Sequence, residues 1–205
     1  MRPSVLLLDE PLSNLDSALR IRMRNEIRTI LKEVHITSIF VTHDQREAFS
    51  ICDRIVLMNK GKVVQIGTPE ALYETPTNLT AASLLGEANV IALKDQPVTG
   101  ASTGFATAQT VSGVAITGIA PAATTSGAVL QAMVRPEHFS INSPSAGPNA
   151  WPGRVIARTY EGTGIDLVIR ALDQDLSIKV GVEHDAAEGT EVTVSVPPER
   201  LLFLS

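Results

Sequence analysis

Val5-Leu6-Leu7-Leu8-Asp9-Glu10-Pro11 is a run of four aliphatic residues closed by two acids and a proline. A continuous apolar run, without polar alternation, is the pattern of a strand buried in a parallel sheet. In open α/β sheets ligands bind beyond the carboxyl ends of the strands, which is where Asp9 and Glu10 fall. Successive residues leave a strand end in different directions, so the two carboxylates can divide their work. Asp9 can hold Mg²⁺, directly or through water, and Glu10 can orient or deprotonate an attacking water. Taken alone the pattern is weak, because surface loops also produce an apolar run ending in Asp-Glu.

The neighbouring residues strengthen it. Ser13-Asn14-Leu15-Asp16 reads as a loop, with Asp16 suited to cap a helix over 17–34. Met23, Ile27, Ile30, Leu31 and Val34 recur at helical spacing on one face of that helix. Arg20, Arg24, Arg28 and Lys32 line another face, read as solvated. Ser38-Ile39-Phe40-Val41 is a second apolar strand, and strand, helix, strand is the signature of a parallel βαβ unit. Its exit carries Thr42-His43-Asp44. A histidine there can donate a hydrogen bond to a terminal phosphate, and the competing reading is a cap or core-edge residue. With both strand ends facing one crevice, Asp9, Glu10 and His43 fall together. His35, His138 and His184 have no such setting. Further on, Ile55–Met58 and Val63–Ile66 flank Asn59-Lys60-Gly61-Lys62, a hairpin with glycine where positive φ is needed. Thr68-Pro69-Glu70 opens a short helix.

The second half differs in kind. Residues 94–127 are rich in Ala, Thr, Ser and Gly, with Val111, Val114, Ile116 and Ile119 available for weak strands. Strands then recur over 130–134, 153–159, 165–171, 176–180 and 192–196, a small all-β unit of barrel type. The 205-residue chain carries a net charge of −5, and its aromatic content is 4%. Both argue against nucleic acid as a partner, since basic patches supply that affinity and aromatic platforms stack bases. The single cysteine, Cys52, excludes an intramolecular disulfide and reads as a small buried hydrophobe in a reducing setting. No window offers the ~20 apolar residues of a membrane span.

These segments, in this order, resemble the ATP-binding subunits of ABC transporters. Leu6–Pro11 looks like their Walker B motif, Ser13–Asp16 like their D-loop, and Val41-Thr42-His43-Asp44-Gln45 like their H-loop. Glu47-Ala48, Asp53-Arg54-Ile55, Gly61-Lys62 and Gly67-Thr68-Pro69 match in type and order. The second half resembles the TOBE region of the importer subunits, an OB-like barrel. Val134-Arg135-Pro136-Glu137, Gly153-Arg154-Val155 and Val194–Glu199 carry that likeness. The resemblance implies that Asp9 binds Mg²⁺, that Glu10 is the catalytic base or water-positioning acid, and that His43 senses the γ-phosphate. Asp16, with Ser13 beside it, would reach across a dimer toward the partner's nucleotide. ATP and Mg²⁺ are the cofactors implied. The partners implied are a second copy of the subunit, transmembrane permease subunits and, indirectly, a solute-binding protein, with the chain on the cytoplasmic face of the membrane. Leu85–Asn89 and Val134–Glu137 lean toward the polyamine or ferric-iron importers.

The sequence holds no Gly-x-x-x-x-Gly-Lys-Ser/Thr loop; Val56 and Val63 stand where its first glycine and its hydroxyl residue should be. The family's signature motif and Q-loop are also absent, so the chain reads as a C-terminal part that starts just before Walker B. It is expected to bind neither ATP nor Mg²⁺ by itself, and its first strand is expected to expose apolar surface. The expected fold class is an α/β remnant of a P-loop-type nucleotide-binding domain over 1–88, a connecting segment with first weak strands over 89–127, and an OB-like β domain over 128–205. The alternative is a non-enzymatic regulatory or ligand-binding OB-like module with a vestigial ATPase half.

Overall fold

The computed structural model describes residues 4–99, 104–120, 130–143, 147–184 and 186–205. The chain divides into two compact units, Met1–Gly86 and Glu87–Ser205. The expected boundary at 127/128 lies outside the described residues.

In the first unit, β1 (Val5–Asp9) pairs in parallel with β2 (Thr37–Val41), in register from Val5 opposite Thr37 to Asp9 opposite Val41. The crossover is α1 (Ser17–Val34). Asp16 caps it as its sequence position requires: Oδ1 accepts the N–H groups of Ala18 and Leu19 at 3.1 and 3.0 Å. The helix ends on His35, whose φ of 55° is left-handed. No side chain of α1 is fully buried. The outer rows of the small sheet are open as well, with Leu7 63% and Ile39 53% exposed. The apolar run does form a parallel strand, but one row of it lacks the cover such strands normally have.

The basic face of α1 is not simply solvated, which corrects the sequence reading. Arg28 Nη1 donates to the carbonyls of Ser50 and Ile51 at 2.9 and 3.0 Å. These close the carboxyl end of α2 (Gln45–Ile51), where a cation is favoured by orphan carbonyls and the helix dipole. Arg20 is engaged too, as described below. Cys52 terminates α2 and is half-buried, less enclosed than a core residue, and burial pushes its thiol pKa up.

Residues Ile55–Asn59 (β3) and Lys62–Gly67 (β4) form the expected hairpin. Lys60 and Gly61 both take positive φ, 49° and 75°, the two-residue turn whose twist suits the flanking strands. The short helices α3 (Pro69–Glu74) and α4 (Leu79–Leu84) follow, capped by Thr68 and Asn78. Leu72 is buried, and Phe49 meets Tyr73 edge-on at 5.9 Å.

The second unit is all β, and its pairing resolves the barrel expectation into two sheets on one core. One sheet holds β5 (Asn89–Ala92), β6 (Val98–Thr99), β7 (Phe105–Gln109), β8 (Ala115–Ile119), β9 (Gln131–Val134) and β15 (Leu202–Leu204), in the order β5-β9-β15-β8-β7-β6. The other holds β10 (Ser140–Ile141), β11 (Ala150–Tyr160), β12 (Ile165–Ala171), β13 (Gln174–Val180) and β14 (Glu191–Ser195), in the order β10-β14-β11-β12-β13. The stretch read as a connecting segment with first weak strands supplies four strands of a sheet, and Ile116 and Ile119 fall in one of them, β8. Its small residues are the reason composition hid it: Ala106 and Ala108 face the core on alternate positions of β7, where a linker reading sees only Ala and Thr. Val111 is not in a strand; it lies in the turn between β7 and β8 and is 69% exposed.

Two buried asparagines tie the sheets. Asn89 on β5 donates to the carbonyl of Ser177 at 2.7 Å and accepts its N–H at 2.8 Å, acting as a one-residue rung to β13. Asn149, just before β11, does the same with Thr117 of β8, at 2.6 and 2.7 Å. Arg135 is 1% exposed and donates to the Glu87 carbonyl at 3.0 Å.

The two units should resist proteases differently. Buried apolar residues in the first are Leu12, Ile51, Leu72, Ala81, Ala82 and Leu85, whereas a continuous aliphatic core runs through both sheets of the second. Local opening is cheapest where few apolar contacts must be broken. Limited proteolysis followed by mass spectrometry should find early cuts within 4–86 and a surviving product spanning most of 87–205. Early loss of the β unit with an intact 4–86 would refute this.

Candidate functional site

Glu10 follows the last residue of β1 and takes a left-handed φ of 43°. Its N–H donates to the Val41 carbonyl at 2.9 Å, which extends the β1–β2 pairing by one rung. The chain then turns tightly: the N–H and Oγ of Ser13 both donate to the Glu10 carbonyl, at 3.2 and 3.0 Å. Leu12, within that turn, is buried, 1% exposed. The Glu10 carboxylate is thereby aimed at the exit of β2, and Oε1 lies 3.1 Å from His43 Nδ1. Both side chains are open to solvent, and they border one hollow with Ser13, Thr42 and Asp44.

The structure therefore brings Glu10 and His43 together. Asp9 ends β1, opposite Val41, with its side chain exposed. Ser13 is committed to the Glu10 carbonyl. Asp16 is committed through Oδ1 to the cap of α1.

The hydrogen bond and charge of Glu10 raise the His43 pKa above its ordinary 6.5, with Glu47 and Asp44 adding to the effect. The imidazolium–carboxylate contact is thus present in full below pH 6.5 and is lost as pH rises through the raised value. A titration of the His43 ring protons by NMR should give a midpoint above that of an exposed histidine. Glu10→Gln should bring it back down; an unchanged midpoint would show that the pair does not form in solution.

Sequence reasoning missed what lies under His43. Glu47, in the first turn of α2, is 3% exposed. The Thr42 hydroxyl donates to Glu47 Oε2 at 2.6 Å and accepts the Asp44 N–H at 3.0 Å. Asp44 caps α2 through the N–H groups of Arg46 and Glu47. Asp44-Gln45-Arg46-Glu47 has the spacing of a capping box, and here the Thr42 hydroxyl is interposed between the reciprocal partners. That spacing was the available signal.

The donor set fits Mg²⁺ only in part. Asp9 supplies hard carboxylate oxygens, but among the described residues no group of three or more His, Cys, Asp or Glu side chains is placed to hold a metal. Magnesium usually takes one or two carboxylates and completes its octahedron from substrate phosphates and water. Among the described residues no helix is long and apolar enough to cross a membrane.

Residues 132–204 match the model of the TOBE domain. The spermidine/putrescine import ATP-binding protein PotA of Legionella pneumophila (strain Lens) is 40% identical over 181 residues, 82% of this chain and 46% of that protein. The sn-glycerol-3-phosphate import ATP-binding protein UgpC of Chromohalobacter salexigens is 38% identical over 199 residues, covering 95% of this chain and 51% of its own length. The Fe(3+) ions import ATP-binding protein FbpC of Photorhabdus laumondii is 53% identical over 90 residues, 44% of this chain and 26% of that protein. The chain thus spans about half the length of the PotA and UgpC relatives it matches.

Proposed function

Because the chain belongs with the ATP-binding subunits of ABC importers and carries a TOBE domain, we propose that, joined to the part of such a subunit that it does not span and inactive without it, it couples ATP hydrolysis to solute uptake through membrane permease partners. The observation that carries this reading is the Glu10–His43 pair at the adjoining ends of two parallel strands. An ATPase needs a carboxylate to hold or deprotonate the attacking water and a donor facing the phosphate that leaves.

In this proposal Glu10 orients the water and accepts its proton, and His43 turns its ring N–H toward the terminal phosphate. The left-handed turn at Glu10 and the rung to Val41 hold that carboxylate without help from substrate. Asp9 holds Mg²⁺ together with the nucleotide's phosphates. When bound, the ion neutralises charge on the phosphates, and Asp9 keeps it beside the strand end. Asp16 has an oxygen left over from its cap, available to a nucleotide bound by a second copy, with Ser13 fixing the loop. The first unit is then the remnant of a P-loop-type nucleotide-binding domain. The working assembly is a homodimer on the cytoplasmic face of permease subunits, served indirectly by a solute-binding protein.

The cargo class proposed is a polyamine or ferric iron, in line with relatives whose names specify spermidine/putrescine and Fe(3+) import. Cells deleted for this coding region should lose uptake of radiolabelled spermidine, putrescine or ferric iron and recover it with the intact gene. Undiminished uptake of all three, with loss of sn-glycerol 3-phosphate uptake, would move the cargo to the third relative's class.

A further inference from the structure

Arg20 lies in the first turns of α1, and its guanidinium reaches three places. Nη2 donates to the Leu15 carbonyl at 2.9 Å. Nη1 stands 3.8 Å from Asp44 Oδ2, and Nε stands 3.8 Å from Glu47 Oε1. Leu15 belongs to the loop that carries Ser13 and Asp16; Asp44 and Glu47 open α2 and flank His43. Among the described residues Nε is buried without a hydrogen-bond partner and faces the buried Glu47 carboxylate, while Nη2 ties the same guanidinium to Leu15. Removing Arg20, itself partly exposed, leaves the buried Glu47 carboxylate without its counter-charge, which favours its moving toward water. Any displacement of Glu47 passes to Thr42 through the 2.6 Å hydrogen bond, and from Thr42 to the next residue, His43.

We propose that Arg20 is a positioning residue, which fastens the Ser13–Asp16 loop and the first turn of α2 to one guanidinium and so fixes where His43 meets Glu10. This rests on the proposed role of that pair. The charged groups facing His43 are Glu10 from the end of β1, Asp44 and Glu47 from α2, and Arg20 behind them from α1. A side chain acting only as a charge and one acting as a fastening have opposite signatures. Loss of a nearby cation favours the imidazolium and raises the His43 midpoint. Loss of the fastening weakens the Glu10 contact and lowers it.

The test is the NMR titration of His43 in the whole chain without nucleotide, with Arg20→Ala, Arg20→Lys and Thr42→Val. Lysine keeps the charge but not the planar fork; valine breaks the Thr42–Glu47 link with no change of charge. All three are expected to lower the midpoint toward that of an exposed histidine. A rise with Arg20→Ala and no change with Arg20→Lys would reduce Arg20 to a charge. Lowered thermal stability with an unmoved midpoint would reduce it to a structural contact. Either result overturns the proposal, and if Arg20→Ala does not fold, the other two variants decide it. A midpoint that follows Glu10→Gln but ignores Arg20→Lys and Thr42→Val defeats the fastening alone. A midpoint that ignores Glu10→Gln removes the pair and the fastening with it. Because no ATP is present, neither result depends on whether His43 contacts phosphate.

Discussion

Glu10→Gln is expected to lower kcat for ATP hydrolysis by ~10²–10⁴-fold, the usual worth of a general acid–base group. The appropriate protein is a fusion in which the part of the Legionella relative that this chain does not match is supplied alongside it. The amide has nearly the size and shape of the carboxylate, so the turn at Ser13 and the rung to Val41 survive. It cannot accept a proton from water. It also withdraws the charge that favours protonation of His43, since the hydrogen bond and charge of Glu10 are the main causes of the raised pKa. An interaction used only in the transition state lowers kcat and kcat/KM together and leaves KM nearly unmoved. His43→Ala should slow the same step by a smaller factor. Phosphate release under saturating Mg-ATP is the measurement, and near-normal turnover by the Glu10→Gln fusion would take Glu10 out of its role.

Titrated as it stands, the chain should give no saturable heat with Mg-ATP up to millimolar nucleotide. A micromolar Kd requires about −8 kcal/mol, and most of that comes from backbone N–H groups and a lysine aimed at the phosphates from a helix N-terminus. The only Gly-Lys pair, Gly61-Lys62, closes the β3–β4 hairpin: Gly61 is in the turn with φ 75°, and Lys62 begins a strand. No helix starts there. The hollow that Glu10 borders is also lined by the carboxylates of Asp44 and Glu47, with Arg20 as a cation and Asp9 next in the chain, and a triphosphate brought to that net acidic field is repelled. His43 offers one donor against it. A micromolar Kd abolished by Asp9→Asn would show that the strand ends alone suffice.

The first unit was legible because its signals are local. An apolar run gives β1, a 3.6-residue period gives α1, and Asp16 and Lys60-Gly61 mark its cap and its turn. The Glu10–His43 meeting was legible too, since a βαβ crossover sets adjacent strand ends side by side. The rest depends on partners distant in sequence. Glu47 and Arg20 look like ordinary surface residues of two helices, and only packing α1 against α2 makes one buried and the other its counter-charge. Alanines 106 and 108 are core residues only because β15 and β9 bring the rest of a sheet beside them, and Asn89 and Asn149 become inter-sheet rungs only when Ser177 and Thr117 arrive. The Asp16 cap was foreseen, but its consequence for the carboxylate's freedom was not.

The left-handed backbone at Glu10 has a consequence for how this protein would change under selection. Non-glycine residues held in that region cost of order 1 kcal/mol relative to glycine, and asparagine tolerates it better than glutamate. A library of this chain screened only for heat tolerance should therefore drift to glycine or asparagine at position 10, discarding the carboxylate in return for relaxed dihedrals. A lineage of the fusion that also had to hydrolyse ATP should hold glutamate there generation after generation, so the composition of position 10 in the two lineages would report whether the proposed role of Glu10 is under selection.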